Sequence, residues 1–425
     1  MILVETNNSR KIAFEILKKV FKNKSFSNIL LNDVSKMQIT EKFKNLIFAI
    51  VHGTITNQIL LDQVSRKLID VKKTNINVQI LLWMSIYQIR FLKTIPQYAI
   101  VNESVIIAKS INHKFSGLMN ACLKKVINSE EELFDFSMFD EERRICIENS
   151  FPKSLFNLIK KGYGIGIAKK VAIDSNEKPV ISFRVNTLKT NAEDFYINNQ
   201  ETYELEKTTI KDCLISKKAI VKSPSYVNGE ITIQDPASIL VSNVLNPSKD
   251  TNVLDMCSAP GGKLTHLSML MENTGHITAY EISENKIKLI KENIERLGCT
   301  NIDLKCGDAT LINQKEFFDH ILLDAPCSGF GVLKRKPEIK INNIEVNSIK
   351  AIVDIQEKLL DTAYFNLKTN GTIVYSTCTI NPDENQNQIK KFISKYKNIE
   401  IVEENQLFGY EMNTDGFYIC KMMKK

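Results

Sequence analysis

Glycine and proline are almost absent from the first third of the chain. Of 16 glycines and 10 prolines in 425 residues, only Gly53, Gly117 and Pro96 precede residue 150. A long segment nearly free of breakers, with apolar residues at helical spacing, predicts an all-α region. Ile12, Ile16 and Val20, continued by Ile29 and Leu30, fit one amphipathic face, and Leu81, Leu82, Ile86 and Ile89 fit another. Residues 99–125 give one or two further helices. Trp83, the single tryptophan, sits inside an apolar helix and reads as core. Lys18, Lys19, Lys22 and Lys24 read as mostly solvated helix surface.

The polar, acidic stretch 128–142 is the expected boundary of this region. Beyond Phe151 the texture changes: 153–172 is helical, 180–186 alternates like a strand, and short β runs follow to Tyr226. From about Pro247, strands alternate with helices. Strand candidates are 251–256, 276–282, 302–306, 319–324, 371–377, 399–402 and 417–422, with helices at 263–271 and 283–297 between the first three. Such βα alternation predicts a mostly parallel, doubly wound sheet that takes ligands at the carboxyl ends of its strands. The last strand follows its predecessor after only a loop, 403–416, and is expected to insert antiparallel. The division expected is therefore 1–148 all-α, 149–245 a small α+β module, and 246–425 the α/β domain.

Charge excludes little: 56 Lys and Arg against 49 Asp and Glu leave +7, an excess compatible with a polyanionic partner without requiring one. The nine cysteines are scattered with no C-x-x-C pair, which argues against a zinc site, any other metal centre or a disulfide framework. The longest uncharged stretch, 74–89, is too short to span a bilayer, and the opening MILVETNNSRK lacks the order of a signal peptide. A cytoplasmic protein without membrane association is expected.

The chemistry concentrates at strand ends. Asp255-Met-Cys-Ser-Ala-Pro-Gly-Gly-Lys263 follows the hydrophobic run VLDM and opens a helix. Its small residues let a ligand approach the backbone, and the helix start offers N–H groups. The pattern is not G-x-G-x-x-G, so a dinucleotide is not indicated. Glu281, ending the second strand, suits a ribose diol. Asp308, after the third, is placed to meet an adenine amino group. A lone acid at a strand end is as readily a cap, but three in succession behind such a loop indicate a nucleoside-type cofactor. The fourth strand ends Asp324-Ala-Pro-Cys327-Ser-Gly, the fifth Ser376-Thr-Cys378-Thr. Two thiols and a carboxyl group bordering one crevice fit nucleophilic attack on an electron-poor heteroaromatic ring.

These segments, DMCSAPGGK, LLDAPCSGFG and YSTCTINPDEN, resemble the RNA cytosine-5 methyltransferases of the Nol1/Nop2/Sun group. The likeness extends upstream through GEITIQDPASIL (229–240) and the R-x-N signature in PVISFRVNTLK (179–189). VHGTITN (51–57), residues 81–109 and GLMNACLKKV (117–126) look like a NusB-type helical domain. Together they are similar to the RsmB (Sun/Fmu) family, whose members methylate 16S ribosomal RNA at the cytosine numbered 967 by convention. Departures from the family pattern are Ser258 for Ala, Leu155 for Trp and Ile341 for Trp, and these touch only expected RNA contacts.

The resemblance implies a C-terminal Rossmann-like, class I S-adenosylmethionine methyltransferase with a seven-stranded sheet, preceded by a small α+β module and a NusB-like domain. It implies Cys378 as the nucleophile at cytosine C6, Cys327 as an aid to product release, and Asp324 as the contact to N3. S-adenosylmethionine would be held by Cys257, Ser258, Ala259, Pro260, Gly261, Gly262, Lys263, Glu281, Asp308 and Asp324. Lys334, Arg335 and Lys336 are candidates to meet RNA phosphates, alongside some lysines of the helical domain. Asn381-Pro-Asp-Glu-Asn385 reads as a turn capping the next helix. The partner expected is 16S RNA, unassembled or in an early small subunit, with no DNA and the enzyme a monomer. Transfer RNA or large-subunit RNA are alternative substrates, and a non-catalytic NusB-like assembly factor is the alternative from another class.

Overall fold

The computed structural model describes residues 8–23, 25–341 and 346–425, with only the backbone described at Val346 and Asn347. Residues 1–7 of the opening segment, and Lys24, lie outside the described residues. The chain forms two compact units. The first runs to Glu177 and takes in a segment starting at Arg335; the second holds Lys178–Lys334 and the chain after that segment to Lys425. Among the described residues no helix is long and apolar enough to cross a membrane.

The first unit is helical throughout, as its lack of breakers requires. Its centre is the helix Ile76–Phe91, which is buried on every side rather than on one stripe: Val78, Ile80, Leu81, Leu82, Trp83, Met84, Ile86 and Ile89 all join the core. Trp83 packs edge-on against Phe21, with ring centroids 5.2 Å apart. Polar residues on this helix find internal partners. Ser85 meets Ser104 at 2.7 Å, and Gln88 accepts from Arg10 Nε at 2.8 Å. The face expected to continue from Val20 to Ile29 breaks, because one helix ends at Asn23 and the next begins at Ser27. Ile29 is left 63% exposed.

The first boundary also differs from expectation. The acidic stretch 128–142 does not leave the helical unit, because Leu133 and Phe136 enter its core. Lys67 closes that turn by donating to the carbonyls of Glu132, Leu133 and Asp135. The helices Lys153–Tyr163 and Ile165–Asp174, separated at Gly164 with φ +87°, complete the unit. Two residues noted as departures at RNA contacts are packing positions instead: Leu155 is fully buried, and Ile341 packs against the helical core.

The second unit carries two sheets. The strands β1 (Ile181–Val185), β2 (Leu205–Lys207), β3 (Cys213–Ser216) and β4 (Ile231–Ile233) form an antiparallel sheet of order β2-β3-β1-β4. The larger sheet contains β5 (Asn252–Asp255), β6 (His276–Glu281), β7 (Ile302–Cys306), β8 (Phe318–Asp324), β9 (Leu367–Thr377), β10 (Ile399–Leu407) and β11 (Phe417–Lys424). Its order is β10-β11-β9-β8-β5-β6-β7. Five strands, β5 to β9, are parallel; β11 is antiparallel to both β9 and β10, as its short connection predicts. Strand order reverses between β5 and β8, and such a switch point opens a crevice at the carboxyl ends.

In the segment starting at Arg335, the two charged residues of Pro-Glu-Ile-Lys are buried within the first unit. Glu338 accepts from the Ser27 amide at 2.8 Å and from its hydroxyl, and Lys340 donates to Asn176 Oδ1 at 2.6 Å. Burial pushes the Lys340 ammonium down to about 7 from an ordinary 10.5. Between those values the unfolded chain holds a proton that the folded chain lacks, so stability rises with pH through this window. Below pH 7 both states are charged and the slope vanishes. Melting followed by circular dichroism from about pH 7 to about 9.5 should show this rise in the wild type and a flatter profile in Lys340→Met. An unaltered slope in the variant would refute the assignment.

Candidate active site

At the switch point two acids end neighbouring strands, Asp255 on β5 and Asp324 on β8. The chain then turns through Met256–Gly261, with Gly261 at φ +98°, into the helix Gly262–Leu270. Lys263, expected only as part of the cofactor loop, places its ammonium 2.7 Å from Asp324 Oδ2. Ser376 on β9 donates to the other oxygen, Oδ1, at 2.8 Å. Asp324 is thereby oriented from both sides, by a helix on one and a strand on the other.

Asp255 is the unexpected member. It is 1% exposed, and among the described residues neither carboxylate oxygen has a partner at hydrogen-bonding geometry. Burial, followed by the nearby Asp324 charge, pushes it up to about 7, against the weaker pull of the Cys257 amide, Lys263 and Ser258. Burial alone would lower the Lys263 ammonium, but Asp324, then Cys378, then Asp255 raise it above its ordinary value. It is the cation that this group of acids needs.

The other expected cofactor-loop residues lie where the strand ends predict. Glu281, 6% exposed at the end of β6, accepts from the amides of Ala259 at 3.3 Å and Ser283 at 2.9 Å. Ser258 is buried, its amide bonded to the Tyr280 carbonyl at 2.9 Å, and Pro260 is exposed. Burial pushes the Cys257 thiol up. Asp308 is exposed and caps the turn Ala309–Leu311, accepting from the Thr310 amide at 2.9 Å and hydroxyl at 2.8 Å.

The two cysteines meet. Cys327 Sγ and Cys378 Sγ are 3.3 Å apart, and both residues are half-buried. The hydrogen bond to Cys378, then burial, hold the Cys327 thiol far above its usual value. Either sulfur can donate in this contact, and the Cys378 charge is among those that raise the Lys263 ammonium. The loops bearing them are sewn together: Gly331 donates to the Cys378 carbonyl at 3.0 Å, and Gly416 to the Gly331 carbonyl at 2.8 Å. A Cβ on Gly331 would lie 1.8 Å from the Gly416 carbonyl oxygen, so only glycine fits.

Several partners were not legible as such. Arg184 of the R-x-N signature is fully buried and grips the start of the loop helix. It donates to the Gly262 carbonyl at 2.7 Å, Gln234 Oε1 at 2.8 Å and Thr265 Oγ1 at 3.1 Å. Asn385 makes no side-chain cap for the helix Gln386–Lys395, contrary to expectation. Its side chain accepts from Thr377 at 2.6 Å and donates to the Thr379 carbonyl at 2.9 Å and to Gln406 at 2.9 Å. The basic triplet does not fall within one unit: Lys334 belongs to the second, exposed Arg335 and Lys336 to the first.

A doubly wound sheet with a small-residue loop and acids at successive strand ends defines the Rossmann-like methyltransferase class. A family model described as 16S rRNA methyltransferase RsmB/F matches residues 242–423, and the NusB family matches residues 7–128. The chain is 35% identical to a probable ribosomal RNA small subunit methyltransferase B of Bacillus subtilis (strain 168), over 98% of each chain. It is 30% identical to one of Synechocystis, over 92% of this chain and 90% of that one. A solved structure described as PH0851 superposes with a TM-score of 0.79 at 22% identity, covering 99% of both chains. NSun6 from Pyrococcus horikoshii, solved with SFG, superposes with a TM-score of 0.60 at 23% identity over 65% of this chain and 99% of that one. The chain belongs to the ribosomal RNA small subunit methyltransferase B family and is S-adenosylmethionine-dependent.

The residues present fit that cofactor. A buried carboxylate without a partner, Asp255, suits a cationic group, and buried Glu281 at the next strand end suits hydroxyls. Asp255 ionises only as pH rises through about 7, so affinity for the cationic cofactor should strengthen from about pH 6 to about 8. Asp255→Asn should flatten that profile in calorimetric titrations. A variant profile as steep as the wild type would remove Asp255 from the site.

Proposed function

We propose that the chain methylates C5 of a cytosine in 16S ribosomal RNA, the one numbered 967 by convention, through a covalent bond between Cys378 and C6. The observation that carries this reading is the pair of thiols 3.3 Å apart beside the Lys263–Asp324 ion pair. In this reading residues 257–263, Glu281, Asp308 and Asp324 hold S-adenosylmethionine, which supplies an electrophilic methyl group.

Cytosine C5 is a weak nucleophile until C6 is saturated. The Cys378 thiolate adds at C6, and the ring electron pair moves toward C5 and N3. Asp324, held by Lys263 and Ser376, is the contact to N3; in its protonated form it gives N3 a proton as negative charge develops there and takes it back when the thiolate leaves. C5 takes the methyl group, and its proton then passes to water. The returning electron pair re-forms the C5–C6 double bond and expels Cys378 as thiolate. A hydrogen bond from the Cys327 thiol to the departing sulfur, 3.3 Å away, eases that departure. The target base must leave its stack, which is least demanding for a loop nucleotide.

The helical unit, together with Lys334, Arg335 and Lys336, is proposed to hold RNA phosphates, with one chain acting alone on unassembled or early-assembling 16S RNA. The three-part division into a NusB-like RNA-binding region 1–148, a small α+β module 149–245 and a methyltransferase region 246–425 is kept as a proposal about function, while packing joins residues 149–177 to the helical unit.

Labelled methyl transfer to protein-free 16S RNA, with 23S and transfer RNA in parallel, should yield 5-methylcytosine in 16S RNA only. Label in another RNA would keep the chemistry and overturn the substrate; no label in any of them, with the cofactor bound, would favour an assembly factor. Cys378→Ala should lose at least about 1,000-fold in rate, whereas Cys327→Ala should leave an enzyme–RNA adduct visible as a shifted gel band. Normal turnover in Cys378→Ala would exclude it as nucleophile.

A further inference from the structure

Glu384 stands six residues beyond Cys378, in the turn that the sequence reads as a helix cap. It is fully buried. Four neutral donors converge on its carboxylate. Oε1 accepts from the Ser328 hydroxyl at 2.5 Å and Asn381 Nδ2 at 2.9 Å; Oε2 accepts from the Ser328 amide at 2.8 Å and Gln356 Nε2 at 3.2 Å. Ser328 directly follows Cys327, and Asn381 is three residues past Cys378. Two further bonds tighten the same knot. The Ser328 and Thr379 hydroxyls meet at 2.8 Å, and Gln356 also donates to the Pro326 carbonyl at 2.9 Å. Through its own backbone carbonyl, Glu384 accepts the Tyr375 hydroxyl at 2.7 Å, which fixes it to β9.

A buried carboxylate satisfied, among the described residues, by neutral donors is an expensive way to hold two loops, and a neutral network would serve packing as well. What a carboxylate adds is four lone-pair directions on two oxygens, enough to bind both cysteine-bearing loops at once, and a fixed negative charge. We propose that Glu384 is a positioning residue that sets the Cys327–Cys378 spacing and thereby governs release of methylated RNA. It touches neither substrate nor cofactor and acts through the two loops. Its charge lies close enough to raise the Cys327 thiol, in the same direction as the bond to Cys378. The release part of this proposal rests on the covalent reading above; the spacing and charge parts do not.

The test compares Glu384→Gln, Glu384→Asp and Ser328→Ala with wild type and Cys327→Ala in the full chain. Gln keeps the shape but replaces an acceptor oxygen with a donor facing other donors. Glu384→Gln should lower turnover about 100-fold, hold S-adenosylmethionine within about twofold of wild type, and accumulate the RNA adduct. Ser328→Ala, which removes one hydroxyl and leaves the amide bond, should lose about tenfold, and Glu384→Asp should recover part of the rate. Mass-spectrometric alkylation with iodoacetamide supplies a readout independent of RNA: Cys327 should react at least about threefold faster in Glu384→Gln at pH 8, because a charge that keeps its thiol protonated is gone. Wild-type turnover without adduct would overturn the role in release, as would a rate loss matched by loss of cofactor binding. Unchanged Cys327 alkylation would overturn the electrostatic part. If Cys327→Ala traps no adduct, the covalent reading fails, and alkylation still decides whether Glu384 controls the thiol pair. Should Glu384→Gln fail to fold, Ser328→Ala carries the same comparison.

Discussion

Two carboxylates at adjacent strand ends, with one ammonium between them, define the centre of this molecule. Asp255 and Asp324 face the same crevice because strand order reverses between their strands, and without a cation each would push the other toward protonation. Lys263 resolves this, but only because the loop helix begins at Gly262, one residue before it. The start of that helix is in turn held by Arg184 from the small sheet. The small antiparallel sheet therefore delivers a buried guanidinium that fixes where Lys263 stands. Burial holds that guanidinium at about 9, low for arginine but still charged at neutral pH.

The same cation distinguishes two otherwise similar thiols. Sulfurs 3.3 Å apart cannot both ionise readily, so the surroundings decide which one does. Cys378 lies on the side of Lys263; Cys327 lies on the side of Glu384, whose charge opposes ionisation. The Cys378 charge helps raise the Lys263 ammonium, and the Glu384 charge helps raise the Cys327 thiol, so the two sulfurs have unlike surroundings. The proposed division between nucleophile and release partner draws on that difference, and spacing in the sequence does not contain it.

Much of the second unit was readable because its chemistry sits on short loops after hydrophobic strands, where local residues name their own role. DMCSAPGGK, DAPCSG and STC each declare a strand end, and the antiparallel last strand follows from a connection too short for a crossover. What escaped was every role that depends on distant partners. Glu384 meets residues 28 and 56 positions away, so its turn looked like a helix cap. Arg184 grips residues 50 to 81 positions away, and a three-residue signature says nothing of that. Acidic composition around residues 128–142 concealed Leu133 and Phe136, which outweigh it by entering the core. Ile29 stays exposed because the apolar period of the first helix does not continue across the break before Ser27.

Lys340 and Glu338 show the limit most sharply. Nothing in the sequence marks this Glu and Lys, two residues apart near a basic triplet, for burial, yet both are buried, each with a polar partner from the helical unit. The chain leaves the methyltransferase unit after Lys334, makes these contacts, and returns. A segment that only needed to close a loop would not bury two charges. These contacts fix the excursion's register: Glu338 accepts from Ser27 and Lys340 donates to Asn176, and a slip by one residue would leave both unsatisfied. Apolar Ile341 adds burial beside them, but it would tolerate such a slip where the charges would not.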